Sequence, residues 1–113
     1  MIVAVVGSRS IQVTEKQIVA VLPPETTEIL SGGAIGTDQC ARQFAKIHGL
    51  VYRAFLPEYA QYGKAAPLVR NRKMIAQADK VIAFWDGSSK GTSFVISFCE
   101  KNKIPIQVVR SEE

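Results

Sequence analysis

Three short stretches of this 113-residue chain carry residues that can hold an anion: GSRS at 7–10, SGGAIGT at 31–37 and DGSSKGT at 86–92. Glycine lets backbone N–H groups approach a ligand closely, and a helix starting just behind it adds unpaired donors and a partial positive charge. Together these favour phosphate or another anion. The candidate ligand contacts are Gly7, Ser8 and Arg9 in the first stretch, and Ser31, Gly32, Gly33, Gly36 and Thr37 in the second. Asp86, Gly87, Ser88, Gly91 and Thr92 supply them in the third. Gly32, Gly33, Gly36 and Thr37 would hold phosphate through backbone and hydroxyl donors, with Gly91 and Thr92 doing the same from the other side. Tight turns also need glycine, so one such loop alone says little. The force of the pattern lies in having three.

The charged residues sharpen this chemistry. Arg9 on the first loop and Arg70 with Asn71 further along are expected to face the ligand, the arginines neutralising its charge; Arg72 and Lys73 read as solvated. Asp38 is either a ligand contact or a favourable first-turn charge of a helix. Asp86 is either a contact, to a ribose hydroxyl for example, or a cap on the turn with Ser88. Trp85 ends a strand and reads as core packing ahead of base stacking. Tyr59 and Tyr62 stand in a stretch whose aromatics would cover a ligand or pack on the surface. Arg70, Asp38 and Asp86 are the catalytic candidates if there is catalysis. There is no GxxxxGK[ST] and no clean GxGxxG after the first apolar run, which argues against P-loop hydrolysis of ATP. With one histidine and two cysteines lacking CxxC spacing, no metal set is expected. No cofactor is implied.

The loops need elements to position them. Ile2 to Val6 is a continuous apolar run, suited to a strand buried on both faces. Thr14 and Gln17 have capping-box spacing, and their helix must stop at Pro23-Pro24. Strands are expected at Thr27–Leu30, Val51–Phe55, Lys80–Trp85 and Ile106–Val109. Helices are expected at Thr37–His48, with Gly49 as its C-terminal cap, at Leu68–Ala78 and at Gly91–Asn102. Leu56 to Pro67 reads as a long functional loop. Strand and helix alternate throughout, which predicts one α/β domain over residues 1–113. Its expected form is a Rossmann-like three-layer sandwich with a five-stranded parallel sheet in the order 3-2-1-4-5. In a parallel sheet all strand C-termini share one edge, so the three loops must converge where open α/β sheets bind ligands.

Composition agrees with a globular domain: 47% of residues are hydrophobic and 21% charged. No apolar run approaches the roughly 20 residues that span a bilayer, and MIVAVVGSRS lacks the basic start of a signal peptide. A cytoplasmic protein without a membrane partner is expected, with Cys40 and Cys99 as buried reduced thiols. The net charge of +4 is compatible with phosphate-bearing ligands or nucleic acid.

The order GSRS, SGGAIGTD, RNRKM and DGSSKGT, spanning about Val3 to Val109, resembles the SLOG superfamily, and within it the small stand-alone proteins of the YspA type. The superfamily includes the DprA/Smf DNA-processing proteins and the LOG phosphoribohydrolases. SGGAIGTDQCA with RNRKMIAQAD is similar to the DprA pattern, which implies single-stranded DNA handling. Arg70 to Met74, with Asp79 following, is similar to the LOG pattern. That likeness implies that Arg70 takes part in cleaving the N-glycosidic bond of a nucleoside monophosphate. Where LOG enzymes carry a glycine pair and a catalytic glutamate, this chain has Ser88-Ser89 and Val95. Valine can neither stabilise an oxocarbenium-like state nor activate water. The resemblance also implies a homo-oligomer. The expected function is therefore binding of a nucleotide or nucleotide-derived small ligand, as sensor or carrier. LOG-like hydrolysis, and then DprA-like DNA binding, are the alternatives.

Overall fold

The computed structural model describes residues 1–8, 10–32 and 37–110. The apolar runs form the strands β1 (Ile2–Gly7), β2 (Glu28–Ser31), β3 (Val51–Ala54), β4 (Lys80–Trp85) and β5 (Ile106–Arg110). All pair in parallel in the order β3-β2-β1-β4-β5. Between them run the helices α1 (Glu15–Val21), α2 (Thr37–Ile47), α3 (Tyr59–Tyr62), α4 (Ala66–Ala76) and α5 (Lys90–Lys101).

The period-two alternation of β1 divides the core into two layers. Val3 and Val5 face α1 and α2, packing with Ile18, Ala41, Phe44 and Ala45. Ala4 and Val6 face α4 and α5, packing with Met74, Ile75, Val95 and Cys99. Both faces of the central strands are thus dry, with Val3, Ala4, Val5, Val81 and Ile82 fully buried. Each of these valines and Ile82 contributes about 1.5–3 kcal/mol on burial. Because α1 leaves β1 on one face and α5 leaves β4 on the other, the chain reverses between these two neighbouring strands. A crevice opens at such a switch point.

Local signals act as expected in several places. Thr14 and Gln17 form both halves of the capping box, and α1 ends at Val21, with Leu22 as its C-cap before the prolines. Gly49 adopts a φ of 70°, the left-handed cap of α2. One expectation needs correction. Leu56–Pro67 is not an irregular loop: α3 makes one helical turn, a 3₁₀ turn follows at Gly63–Ala65, and α4 begins at Ala66. The apparent breaker Pro67 lies in the first turn of α4, where a missing N–H costs nothing. Gly63, at φ 56°, is the true punctuation. The same helix ends at Ala76, two residues short of the expected boundary, with Gln77 donating to Ile75 and Met74 carbonyls.

Candidate functional site

The crevice at the β1/β4 switch point holds about 460 Å³, within the roughly 300–1,000 Å³ usual for small-molecule sites. Val6 and Gly7 at the end of β1 form its floor with Val95 of α5 and Met74 of α4. One side is built from Ser10, Asp86, Ser89, Gly91 and Thr92, the other from Gly32, Asp38, Pro67, Leu68, Arg70 and Asn71.

The first side is a network of small hydroxyls. Ser8, only 2% exposed, shares a 3.3 Å hydrogen bond with Thr92 and accepts from the Asp86 amide at 3.2 Å. Asp86 Oδ1 accepts from the Ser88 and Ser89 amides at 2.9 and 2.7 Å, and Oδ2 from the Ser10 hydroxyl at 2.5 Å. The Ser10 bond first, then the two amides, hold this carboxyl well below the usual carboxylate range. It is therefore a fixed anion that stitches the β1 loop to the turn leading into α5. Asp86 caps the turn, one of its two sequence readings, and it also borders the crevice.

The other side centres on Arg70. Its Nη1 donates to the Gly32 carbonyl at 3.1 Å and the Phe55 carbonyl at 3.2 Å, and Nε donates to Asn71 Oδ1 at 2.7 Å. Asp38, 9% exposed, is set in the first turn of α2. A Cβ placed on Gly32 would run into the Arg70 guanidinium and come within 3.2 Å of Asp38 Oδ2. A side chain at 32 would therefore have to displace the end of Arg70 and crowd Asp38, two side chains of opposite charge. Gly91 is the contrary case: a Cβ there meets nothing within 4 Å. That glycine leaves the crevice open without being needed by its neighbours.

Of the sequence candidates, Gly7, Gly32, Asp38, Arg70, Asn71, Asp86, Gly91 and Thr92 come together around this crevice. Several others are turned elsewhere. Ser31 is fully buried, with its hydroxyl 2.5 Å from the Tyr52 hydroxyl, whose pKa burial raises against the opposing effect of that bond. Thr37 packs behind Gly7, and its Oγ1 finds no partner among the described residues. Ser8 supports the wall from behind, and Ser88 points its amide and hydroxyl at Asp86. Gly87, at φ 89°, lies beneath the Arg110 guanidinium. Arg9, Gly33 and Gly36 lie outside the described residues.

Asp79 accepts from the Ile2 amide at 2.7 Å, a structural tie away from the crevice. Trp85 is half-buried, donating to the Ser89 carbonyl at 3.1 Å under Arg110. Tyr59 is exposed, whereas Tyr62 lines a smaller hollow beside the crevice. Among the described residues no three His, Cys, Asp or Glu side chains gather as metal ligands, and no helix is long and apolar enough to cross a membrane.

Sequence reasoning missed Ser10, Ser89, Leu68, Pro67 and Met74 as crevice residues. For the last two a signal existed. Pro67, Arg70, Asn71 and Met74 fall at i, i+3, i+4 and i+7, one face of α4. The arrangement offers backbone edges and hydroxyls on one side, a tethered guanidinium on the other and an apolar floor between. No family model, no curated protein and no solved structure matches the chain.

Proposed function

We propose that this chain binds a nucleotide or nucleotide-derived small ligand in the crevice, as a sensor or carrier, in keeping with the motif resemblance to the SLOG superfamily. The observation that carries the reading is the convergence of Gly7, Gly32 and Gly91 with the first turns of α2 and α5 on one ligand-sized space at the switch point. The apolar floor of Val6, Met74 and Val95 suits the body of a base or sugar. Asp38 and Asp86 suit its hydroxyls and amino groups.

Hydrolysis of the N-glycosidic bond is less well supported. Val95, 1% exposed at the floor, stands where the LOG likeness would need a glutamate. Asp86 is already held by donors from Ser10, Ser88 and Ser89. The test uses the open Cβ direction of Gly91. Gly91→Leu should fill the crevice yet leave the melting temperature unchanged or higher, since glycine is a poor helix former. Calorimetry with AMP should detect binding to the wild type and none to this variant. Equal affinity in the two would remove the crevice as the site.

A further inference from the structure

Beside the crevice lies a second hollow of about 210 Å³, walled by Phe55, Leu56, Tyr62, Val69, Arg70 and Lys73. Arg70 lines both spaces. Its Nη1 joins the Gly32 carbonyl, on the crevice side, to the Phe55 carbonyl, on the side of the hollow. One side chain is therefore a wall common to the two. The hollow alone falls below the roughly 300–1,000 Å³ of small-molecule sites, whereas the crevice falls within that range. A space of this size next to a ligand-sized one is better suited to extend it than to act independently.

The hollow brings the aromatic rings of Phe55 and Tyr62 together with the charged Glu58, Arg70 and Lys73, and Leu56 in its wall remains 64% exposed although it is aliphatic. Lys73 stands at the rim, its Nζ 3.4 Å from the Tyr62 hydroxyl, 5.2 Å from the Tyr62 ring centroid and 3.6 Å from Glu58 Oε1. An aromatic wall with a cation at its edge accepts a flat ring that arrives on an anionic tether.

We propose that the hollow is a second subsite of the same binding site, taking the second ring of a two-ended ligand of the dinucleotide class. The first nucleotide occupies the crevice, and the linking phosphates run beside Arg70 and Lys73. This rests on the nucleotide reading above and adds to it the length and the second ring of the ligand.

Calorimetry with AMP, ADP and diadenosine diphosphate tests it. ADP supplies added phosphate charge without a second ring. The dinucleotide should bind about tenfold more tightly than either mononucleotide, the gain expected from stacking one base on an aromatic side chain. Leu56→Asp and Tyr62→Ala should each erase that advantage while AMP affinity stays the same. Leu56 is too exposed for its replacement to unfold the chain, and melting curves check both variants. ADP binding as tightly as the dinucleotide would assign the gain to charge and overturn the subsite. So would a dinucleotide no tighter than AMP, or an advantage that survives Leu56→Asp; AMP binding would then still stand. Binding of none of the three would overturn the subsite and the nucleotide reading together.

Discussion

Asp86 holds a turn together at the border of the crevice. Its folded-state pKa is depressed, so the ionised form stabilises the turn at neutral pH, and that contribution disappears as pH falls below the ordinary value of about 3.9. Asp86→Asn should lower the melting temperature at pH 7, and the gap to the wild type should close in strong acid. A gap independent of pH would mean that shape, and not charge, holds the loop. The cysteines show the opposite balance. Burial pushes the Cys99 thiol up to about 11, and Cys40, half-buried on α2, is raised as well. Alkylation at pH 7 followed by mass spectrometry should modify Cys40 slowly and Cys99 only after denaturant is added. Early labelling of Cys99 would contradict its place in the core. At Val95 the expectation concerns catalysis: chromatography of an overnight reaction with AMP should show no free adenine. Adenine in the trace would point to Asp38 or Asp86 as the working carboxylate.

At the scale of elements, α4 is the piece on which the site depends. Arg70 ties this helix to the ends of β2 and β3. Its sequence reading as an anion contact therefore acquires a structural share. Arg70→Ala leaves two carbonyls without this donor, at a cost of about 1–3 kcal/mol for each acceptor that stays buried and unpaired. Urea unfolding should register that loss, and AMP should weaken more than adenosine, as a phosphate beside Arg70 requires. A parallel loss for both would leave Arg70 the structural share alone. Sequence periodicity found α1, α2 and α5 because capping, glycine and apolar spacing agree there. It misjudged the approach to α4, since Pro67 reads as a breaker until the helix is known to start at Ala66. The contacts of Ser31 and Thr37 were illegible for another reason. Each lies in a glycine-rich stretch, but its surroundings are set by a residue distant in sequence: Ser31 bonds the Tyr52 hydroxyl, and Thr37 packs against Gly7.

Across the whole molecule, the strand order was legible because continuous apolar runs alternating with amphipathic helices admit few unknotted arrangements. Val3–Val6 buries alternate residues against opposite helix layers, as a doubly covered strand requires. The crevice then follows from topology, and its glycine edges from the turns that leave β1 and β2 and enter α5. What topology leaves open is the occupant. Amide-resolved NMR during a titration with AMP decides whether the crevice takes the nucleotide. Saturable shifts should concentrate at Gly7, Gly32, Ser89, Gly91 and Thr92, with the amides of β5 and α1 unmoved. No shifts at millimolar AMP, or shifts gathered on another face, would contradict it.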